Sequence, residues 1–260
     1  MNASLEIRDL SAGYGRRRIW EHIDLTASPG EICVLMGKNG SGKTTLLRAI
    51  QGSIPSRTGH IRIGGADLAG MSVRQRAAKV TTMPQEIPAD KGLLGQDYAE
   101  MAFYPARGPF AKLTERDRGK IRLTAEAFGI SGLLDRDLAE MSAGERQMIS
   151  LLRAAVQDTP VLLLDEPVSA LDYQHTEMLF HMLQQMAAAG KTILTVLHDP
   201  TLALRHGTRL LCLENGRIAA DVPVDASSPA MMEAALGILY PGLRVHRDPL
   251  FCYTENNNIK

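Results

Sequence analysis

A short apolar run, Ile32 to Met36, passes straight into Gly37-Lys38-Asn39-Gly40-Ser41-Gly42-Lys43-Thr44, and that junction leaves few folds open to the chain. Glycines at 37, 40 and 42 let the backbone turn tightly and aim several N–H groups into one concavity, where an anion fits. The run before the turn reads as a strand. The segment after it, Lys43 to about Ile50 and ending near Gly52, reads as a helix whose positive end points at the same spot. Lys43 adds a point charge suited to β- and γ-phosphates, the Thr44 hydroxyl suits Mg²⁺, and Thr45 belongs to the same turn. The expected fold is α/β, organised around a strand, a phosphate loop and a helix.

The 260 residues, 45% of them hydrophobic, can bury a full core, as one domain with an elaboration or as two small ones. Lysine plus arginine equals aspartate plus glutamate at 29 each, so net charge gives no footprint for nucleic acid, and no such partner is expected. Arg16-Arg17-Arg18 reads as a solvated turn. Cys33, Cys212 and Cys252 lie far apart and lack metal-ligand spacing; Cys33 and Cys212 sit in apolar runs, as buried thiols of a reducing compartment do. Met1 to Leu10 is charged and alternating, unlike a secretory signal, and no apolar run approaches the roughly 18 residues that span a bilayer.

Leu5 to Leu10 and Ile19 to Leu25 read as short strands around a loop containing Tyr14, and Gly59 to Gly65 adds another alternating piece, so an antiparallel layer is expected near the N-terminus. Ile32 to Met36, Val80 to Thr82, Val161 to Leu164 and Ile193 to Leu197 are short and apolar, as strands buried on both faces of a parallel sheet are. Helical signals, notably Thr114 to Phe128 and Ser142 to Val156, lie between them, broken around Pro105 to Pro109 and Gly129 to Gly132. They predict a helical subdomain, about 87–157, inserted in an α/β domain of 1–220, with 221–260 as a C-terminal extension. Just before that extension Asn215-Gly216 joins Arg209 to Glu214 and Arg217 to Ala220 as a hairpin; within the extension a helix follows near Ala230 to Leu236, and Glu255 to Lys260 fray. There are no internal repeats and no heptads long enough for a coiled coil.

Open α/β sheets bind ligands beyond the carboxyl ends of their strands. Those ends carry the Gly37 loop, Gln85, the pair Asp165-Glu166 and His198. Pro167 stops the third strand, so both carboxylates face the phosphates: Asp165 would hold Mg²⁺ through its water shell, and Glu166 would polarise an attacking water. Taken alone, His198 is a cap or surface residue; its alignment with the other strand ends favours a hydrogen bond to a γ-phosphate. Gln85, between Pro84 and Pro88, is either a plain loop residue or part of this site. Tyr14 either stacks on a base or covers the edge of the core.

From residue 4 to about 220 the chain resembles the ATP-binding subunit of ABC transporters. The phosphate loop Gly37 to Thr44, Gln85, Met141-Ser142-Ala143-Gly144-Glu145-Arg146-Gln147, the strand ending in Asp165-Glu166, Ser169-Ala170-Leu171-Asp172 and His198 look like that family's Walker A, Q-loop, signature, Walker B, D-loop and switch histidine. The resemblance implies a P-loop NTPase (RecA-like) core that hydrolyses ATP with Mg²⁺. Thr44, Gln85 and Asp165 would serve the metal, and Glu166, His198 and Gln85 the chemistry. Nucleotide would be held by Tyr14, Gly37, Lys38, Asn39, Gly40, Ser41, Gly42, Lys43, Thr44 and Thr45, and across the interface by Ser142, Ala143, Gly144, Glu145 and Asp172. The implied partners are a second copy of the chain in a head-to-tail ATP-sandwich dimer, a transmembrane permease and, indirectly, a substrate-binding protein. The implied location is peripheral, on the cytoplasmic face of the cell membrane.

Ser142 and Gly144 open a helix with an apolar face (Ile149, Leu152, Val156), a second anion-ready helix end that one phosphate loop does not need. Two positions depart from the common Leu-Ser-Gly-Gly-Gln pattern. Ala143 adds a methyl group, and Glu145 brings a negative charge toward an anionic ligand, which leaves the rate open. Asp172-Tyr173-Gln174-His175, and Met101-Ala102-Phe103-Tyr104-Pro105 with Phe110, are similar to the metal-chelate import branch, serving siderophores, haem, cobalamin or molybdate. The alternative is a non-transport ABC ATPase or a regulatory ATP-binding module; an ABC ATPase of DNA repair or chromosome structure would carry a long coiled coil, one associated with translation would usually carry two ATPase units, and Glu166 with His198 argues against the regulatory module.

Overall fold

Apolar runs with no polar face to offer water fold as strands covered on both sides, and the computed structural model has them at the centre. It describes residues 3–15, 17–83, 87, 89, 91–108, 112–169, 171–247 and 250–254. Arg16, Gln85, Phe110, Ala170 and the tail Glu255 to Lys260 lie outside the described residues. In chain order the first half comprises β1 (Leu5–Tyr14), β2 (Arg17–Ala27), β3 (Ile32–Gly37), α1 (Lys43–Gln51), β4 (Ser56–Ile63), β5 (Ala66–Asp67), α2 (Val73–Ala77), β6 (Val80–Met83), α3 (Gly95–Glu100), α4 (Tyr104–Arg107) and α5 (Glu115–Ala127). There follow α6 (Ala143–Gln157), β7 (Val161–Asp165), α7 (Tyr173–Ala188), β8 (Thr192–Val196), α8 (Pro200–His206), β9 (Arg209–Glu214), β10 (Arg217–Pro223), α9 (Pro229–Gly237), β11 (Leu243–Arg247) and β12 (Leu250–Thr254).

The main sheet has the order β10-β9-β3-β8-β7-β6. All its strands run parallel except β10, which returns antiparallel on β9. Every residue of β3 and β8 is buried. The strand period of two sends alternate side chains to opposite faces. Cys33, Leu35, Leu163 and Leu194 pack with Leu46 and Ile50 of α1 and with Leu5, Ile7 and Trp20 of the antiparallel layer, whose order is β2-β1-β4-β5. Val34, Met36, Leu162 and Leu164 pack on the other face against Ile149 and Leu152 of α6 and Phe180 and Leu183 of α7.

The four parallel runs, the antiparallel layer and the helices over 114–128 and 142–156 occur as the sequence predicts. Other expectations need correction. Tyr14 is the last residue of β1, paired with Arg17, and not a loop residue; Arg17 and Arg18 begin β2. Pro105 lies in the first turn of α4 rather than breaking a helix, because a first turn has no use for the missing N–H. Asp199-Pro200, expected as a loop, starts α8: the Asp199 carboxylate accepts from Thr201 N at 2.7 Å and Leu202 N at 3.3 Å. β9 does more than form a hairpin, since it also lies parallel to β3. The helices α3 and α7 and the hairpin β11–β12 were not anticipated.

Candidate nucleotide site

The loop after β3 is shaped by what its glycines touch. Gly40 and Gly42 have φ of 81° and 97°, the left-handed region that side chains resist. At Gly37 a Cβ would lie 2.5 Å from Ser41 Oγ and 2.7 Å from the Leu213 carbonyl oxygen, so β9 closes on the loop from the side. Lys43 Nζ donates to Gly37 O at 2.7 Å and Lys38 O at 3.2 Å, holding the loop in a ring. Burial pushes the Lys43 ammonium down, and the carboxylates of Glu166 and Asp165 oppose that. Among the described residues no side chain caps α1 and no acid sits in its first turn, which leaves that end open to an anion.

Two neighbouring strands bring the rest. Because β7 lies parallel to β8, with Asp165 opposite Val196, the residues just beyond both strands meet. Glu166 Oε1 and His198 Nε2 lie 2.6 Å apart. Glu166 holds φ at 52°, a left-handed conformation unusual for a side-chain-bearing residue. Asp165 Oδ1 is buried and has no hydrogen-bond partner among the described residues. A buried anionic oxygen left unpaired is costly, and a divalent cation would satisfy it.

Tyr14, Arg17, Ile19, Asn39, Gly40, Gly42, Lys43, Thr44, Thr45 and Glu166 line a cleft of about 500 Å³. The Tyr14 hydroxyl accepts from Arg48 Nη1 at 3.1 Å, which draws its pKa below the ordinary value. Its ring is half exposed and available to a flat group in the cleft. Lys38 and Asn39 form a neighbouring depression with His198 and Tyr240. The structure therefore unites Tyr14, the loop 37–45, Glu166 and His198, with Asp165 at the adjoining strand end.

Ser142 to Glu145 and Asp172 do not line that cleft. Ser142 caps α6 in a reciprocal box: Glu145 N donates to Ser142 Oγ at 3.2 Å, and Ser142 N to Glu145 Oε2 at 2.8 Å. The Glu145 side chain, expected to bring negative charge toward an anion, instead turns back on its own helix end, where Glu145 Oε1 pairs with Arg136. The Ser142 N–H first, and then Arg136, hold its carboxyl below the ordinary range. Arg136 also donates to Glu140 O at 3.1 Å. Gly144 lies against the His175 ring, where a Cβ would come within 3.0 Å. Asp172 caps α7 by accepting from His175 N at 2.8 Å. Gln147 Nε2 donates to Pro167 O at 2.8 Å, tying α6 to the loop after β7.

Sequence reasoning missed Trp20, Arg48 and Arg136. Trp20, the only tryptophan in the chain, is fully buried, and its Nε1–H donates to Gly42 O at 2.8 Å. The alternation of β2 marks it as a core residue, but nothing local says that the core there is the floor of the phosphate loop.

A parallel sheet whose strand ends gather an uncapped phosphate loop, an orphaned carboxylate oxygen and a Glu–His pair, with an antiparallel layer on one face and helices on the other, defines an ATP-binding cassette built on the P-loop NTPase fold. A sequence model described as ABC transporter matches residues 20–169, more than half of the chain. The chain belongs to the ABC transporter family, as an ATP-hydrolysing cassette. It is 34% identical over 246 residues to the hemin import ATP-binding protein of Bordetella pertussis, covering 90% of this chain and 92% of that one. It is 31% identical over 216 residues to the iron(3+)-hydroxamate import ATP-binding protein of Bacillus subtilis, covering 83% and 80%. Among solved structures, the ATP-binding subunit of an ABC transporter superposes with a TM-score of 0.76 at 25% identity, over 91% of this chain and 97% of that one. A dimeric bacterial ABC transporter cassette superposes with a TM-score of 0.73 at 22% identity, over 85% and 98%.

Proposed function

We propose that this chain is the ATP-hydrolysing motor of a metal-chelate importer, acting as a head-to-tail pair on a separate permease at the cytoplasmic face of a membrane. The observation that carries the pairing is the one-sidedness of the cleft. The phosphate loop, Tyr14 and Glu166 line it, while the N-terminal end of α6 at Ser142 to Glu145, closed on itself by its capping box, lies outside it. A second copy offering that end across the cleft would complete the enclosure, with Asp172 beside it. Among the described residues no helix is long and apolar enough to cross a membrane. Transport therefore calls for separate permease subunits, with a substrate-binding protein serving them. The hemin and iron(3+)-hydroxamate relatives support the cargo class.

Residues 1–220 would form the motor, with the helical part about 87–157 inserted, and 221–260 an extension. Thr44, Asp165 and, from the sequence, Gln85 would hold Mg²⁺, for which the buried, unpartnered Asp165 Oδ1 is a fitting oxygen. When bound, that ion supplies charge neutralisation on the β- and γ-phosphate oxygens. Lys43 and the loop N–H groups would hold the phosphates, Tyr14 the base. Glu166 would orient and polarise the attacking water, and His198 would hold Glu166 and reach the terminal phosphate. Phosphoryl transfer is mostly positioning and charge stabilisation, and these groups supply both.

The Arg136–Glu145 pair yields an expectation. Arg136→Gln leaves the Glu145 charge uncompensated at an anion-facing helix end, and should raise the KM for ATP on the order of fivefold, the scale of a partly exposed charge interaction. Replacing Glu145 by Gln in the same variant should restore the KM, because the amide still completes the capping box. Steady-state kinetics of the single and double variants check this; a double variant no better than the single one removes the electrostatic explanation.

The motor assignment is tested by ATP hydrolysis and uptake in liposomes bearing the permease encoded nearest to this chain. Hydrolysis should rise when the permease is present, and ATP should drive entry of hemin or a ferric siderophore. Turnover indifferent to the permease would indicate a soluble ATPase or regulatory role. Permease-stimulated turnover that moves neither compound would overturn the cargo class.

A further inference from the structure

The C-terminal segment beyond the hairpin β9–β10 reaches back to the catalytic edge of the sheet. Tyr240, three residues after α9, donates from its hydroxyl to the backbone carbonyl oxygen of His198 at 2.9 Å. Its amide is fixed in turn, donating to Leu236 O at 2.8 Å. Leu239 beside it is buried, and the Tyr240 ring packs against the main core. Leu239 and Tyr240 form one wall of the depression whose other walls are Gly37, Lys38, Asn39 and His198. Burial raises the phenol pKa above its ordinary value, so the group stays protonated and remains a donor.

The same segment grips the element that follows His198. Cys252 N, on β12, donates to Thr201 Oγ1 at 3.1 Å, in the first turn of α8. Val245 N on β11 donates to Glu233 Oε1 of α9 at 2.9 Å, which joins hairpin and helix. The loop carrying His198 thus lies between the strand end of β8 and a C-terminal unit that touches it at the His198 carbonyl and again at Thr201. The imidazole itself is half exposed and pairs with Glu166. An exposed side chain on a loop moves with its backbone as well as about its own χ angles, so holding the backbone removes the first of these motions. Anchoring the carbonyl restricts where the imidazole can point.

We propose that Tyr240 is a positioning residue for ATP hydrolysis: its hydroxyl anchors the backbone of His198 and so sets the imidazole against Glu166 and the phosphate to be cleaved. The inference rests on the catalytic role given above to His198, and makes the C-terminal segment part of the hydrolytic machinery. Tyr240→Phe removes one oxygen and keeps the ring. In the reconstituted complex it should lower kcat about fivefold, the rate equivalent of one hydrogen bond, with the KM for ATP within about twofold and the unfolding temperature lowered by no more than about 4 °C. The double-mutant cycle with His198→Ala, read by single-turnover phosphate release, locates the effect. Tyr240→Phe should add nothing further in that background. A wild-type kcat in Tyr240→Phe, with His198→Ala impaired, overturns the proposal, as does an equal loss in both backgrounds. His198→Ala with wild-type turnover instead removes the role of the histidine, and the proposal falls with it.

Discussion

Glu166→Gln should lower ATP turnover by about 10²- to 10⁴-fold, the usual cost of losing a general base, while nucleotide binding should persist. The substitution preserves length and shape, so the left-handed backbone at residue 166 and the neighbouring sheet register are not disturbed. The amide can still meet His198 across the 2.6 Å contact. What disappears is the negative charge that polarises water. Lys43 and the loop N–H groups are untouched, so the affinity for ATP stays within a few-fold. Trp20 provides the readout, because the chain has a single tryptophan and its indole N–H bonds to the loop carbonyl of Gly42. Titration of its fluorescence with ATP should give similar curves for wild type and variant while phosphate release separates them. A variant that turns over within tenfold of wild type would take Glu166 out of the proposed role.

Trp20→Ala is the largest expected stability effect. The side chain is fully buried among Leu, Ile and Ala residues that join the antiparallel layer to α1 and the main sheet. Truncating a buried aromatic to alanine costs about 3–5 kcal/mol through lost transfer energy and the cavity left behind. For a chain of this size that corresponds to a fall of roughly 6–20 °C in Tm. Trp20→Phe divides the effect into its parts. It keeps most of the packing and removes the bond to Gly42 O, which still accepts from Leu46 N at 2.9 Å. Its stability loss should therefore be only about 1 kcal/mol. The KM for ATP should nevertheless rise, because the indole also supports the glycine: a Cβ on Gly42 would lie 2.8 Å from Nε1. Thermal unfolding and ATP titration of the two variants check this. Equal Tm losses would mean that packing contributes little at this position.

Much of the site was readable in advance because its parts are local. The phosphate loop needs glycines where φ is positive, and Gly40 and Gly42 are such positions. β3, β7 and β8 announced themselves by largely apolar runs without polar alternation, since a strand covered on both faces has no reason to alternate. The helix start at Ser142 occurs as read, while the box that Glu145 closes with it, also a four-residue pattern, went unread. Misreadings arose where a local cue had two meanings. Asp199-Pro200 stops a strand and also starts a helix. Pro105 breaks a helix interior and also suits a first turn. Glu145 read as an exposed charge because Arg136, its partner, is separated from it by a turn and a helix start that no short pattern describes.

The sequence by itself determined the class of chemistry: a phosphate loop, an acidic strand end, a histidine strand end and a cappable helix, each encoded within a few consecutive residues by backbone sterics and apolar periodicity. Only the tertiary structure decided which of these groups touch. Glu166 meets His198 because β7 and β8 are neighbours in register. Trp20 meets Gly42 because the antiparallel layer packs over α1, and Tyr240 reaches the His198 carbonyl because the chain after α9 turns back across the sheet edge. Contacts between residues 22 to 42 positions apart depend on strand order and layer packing, which are collective properties of the buried core and leave no mark on the residues between them.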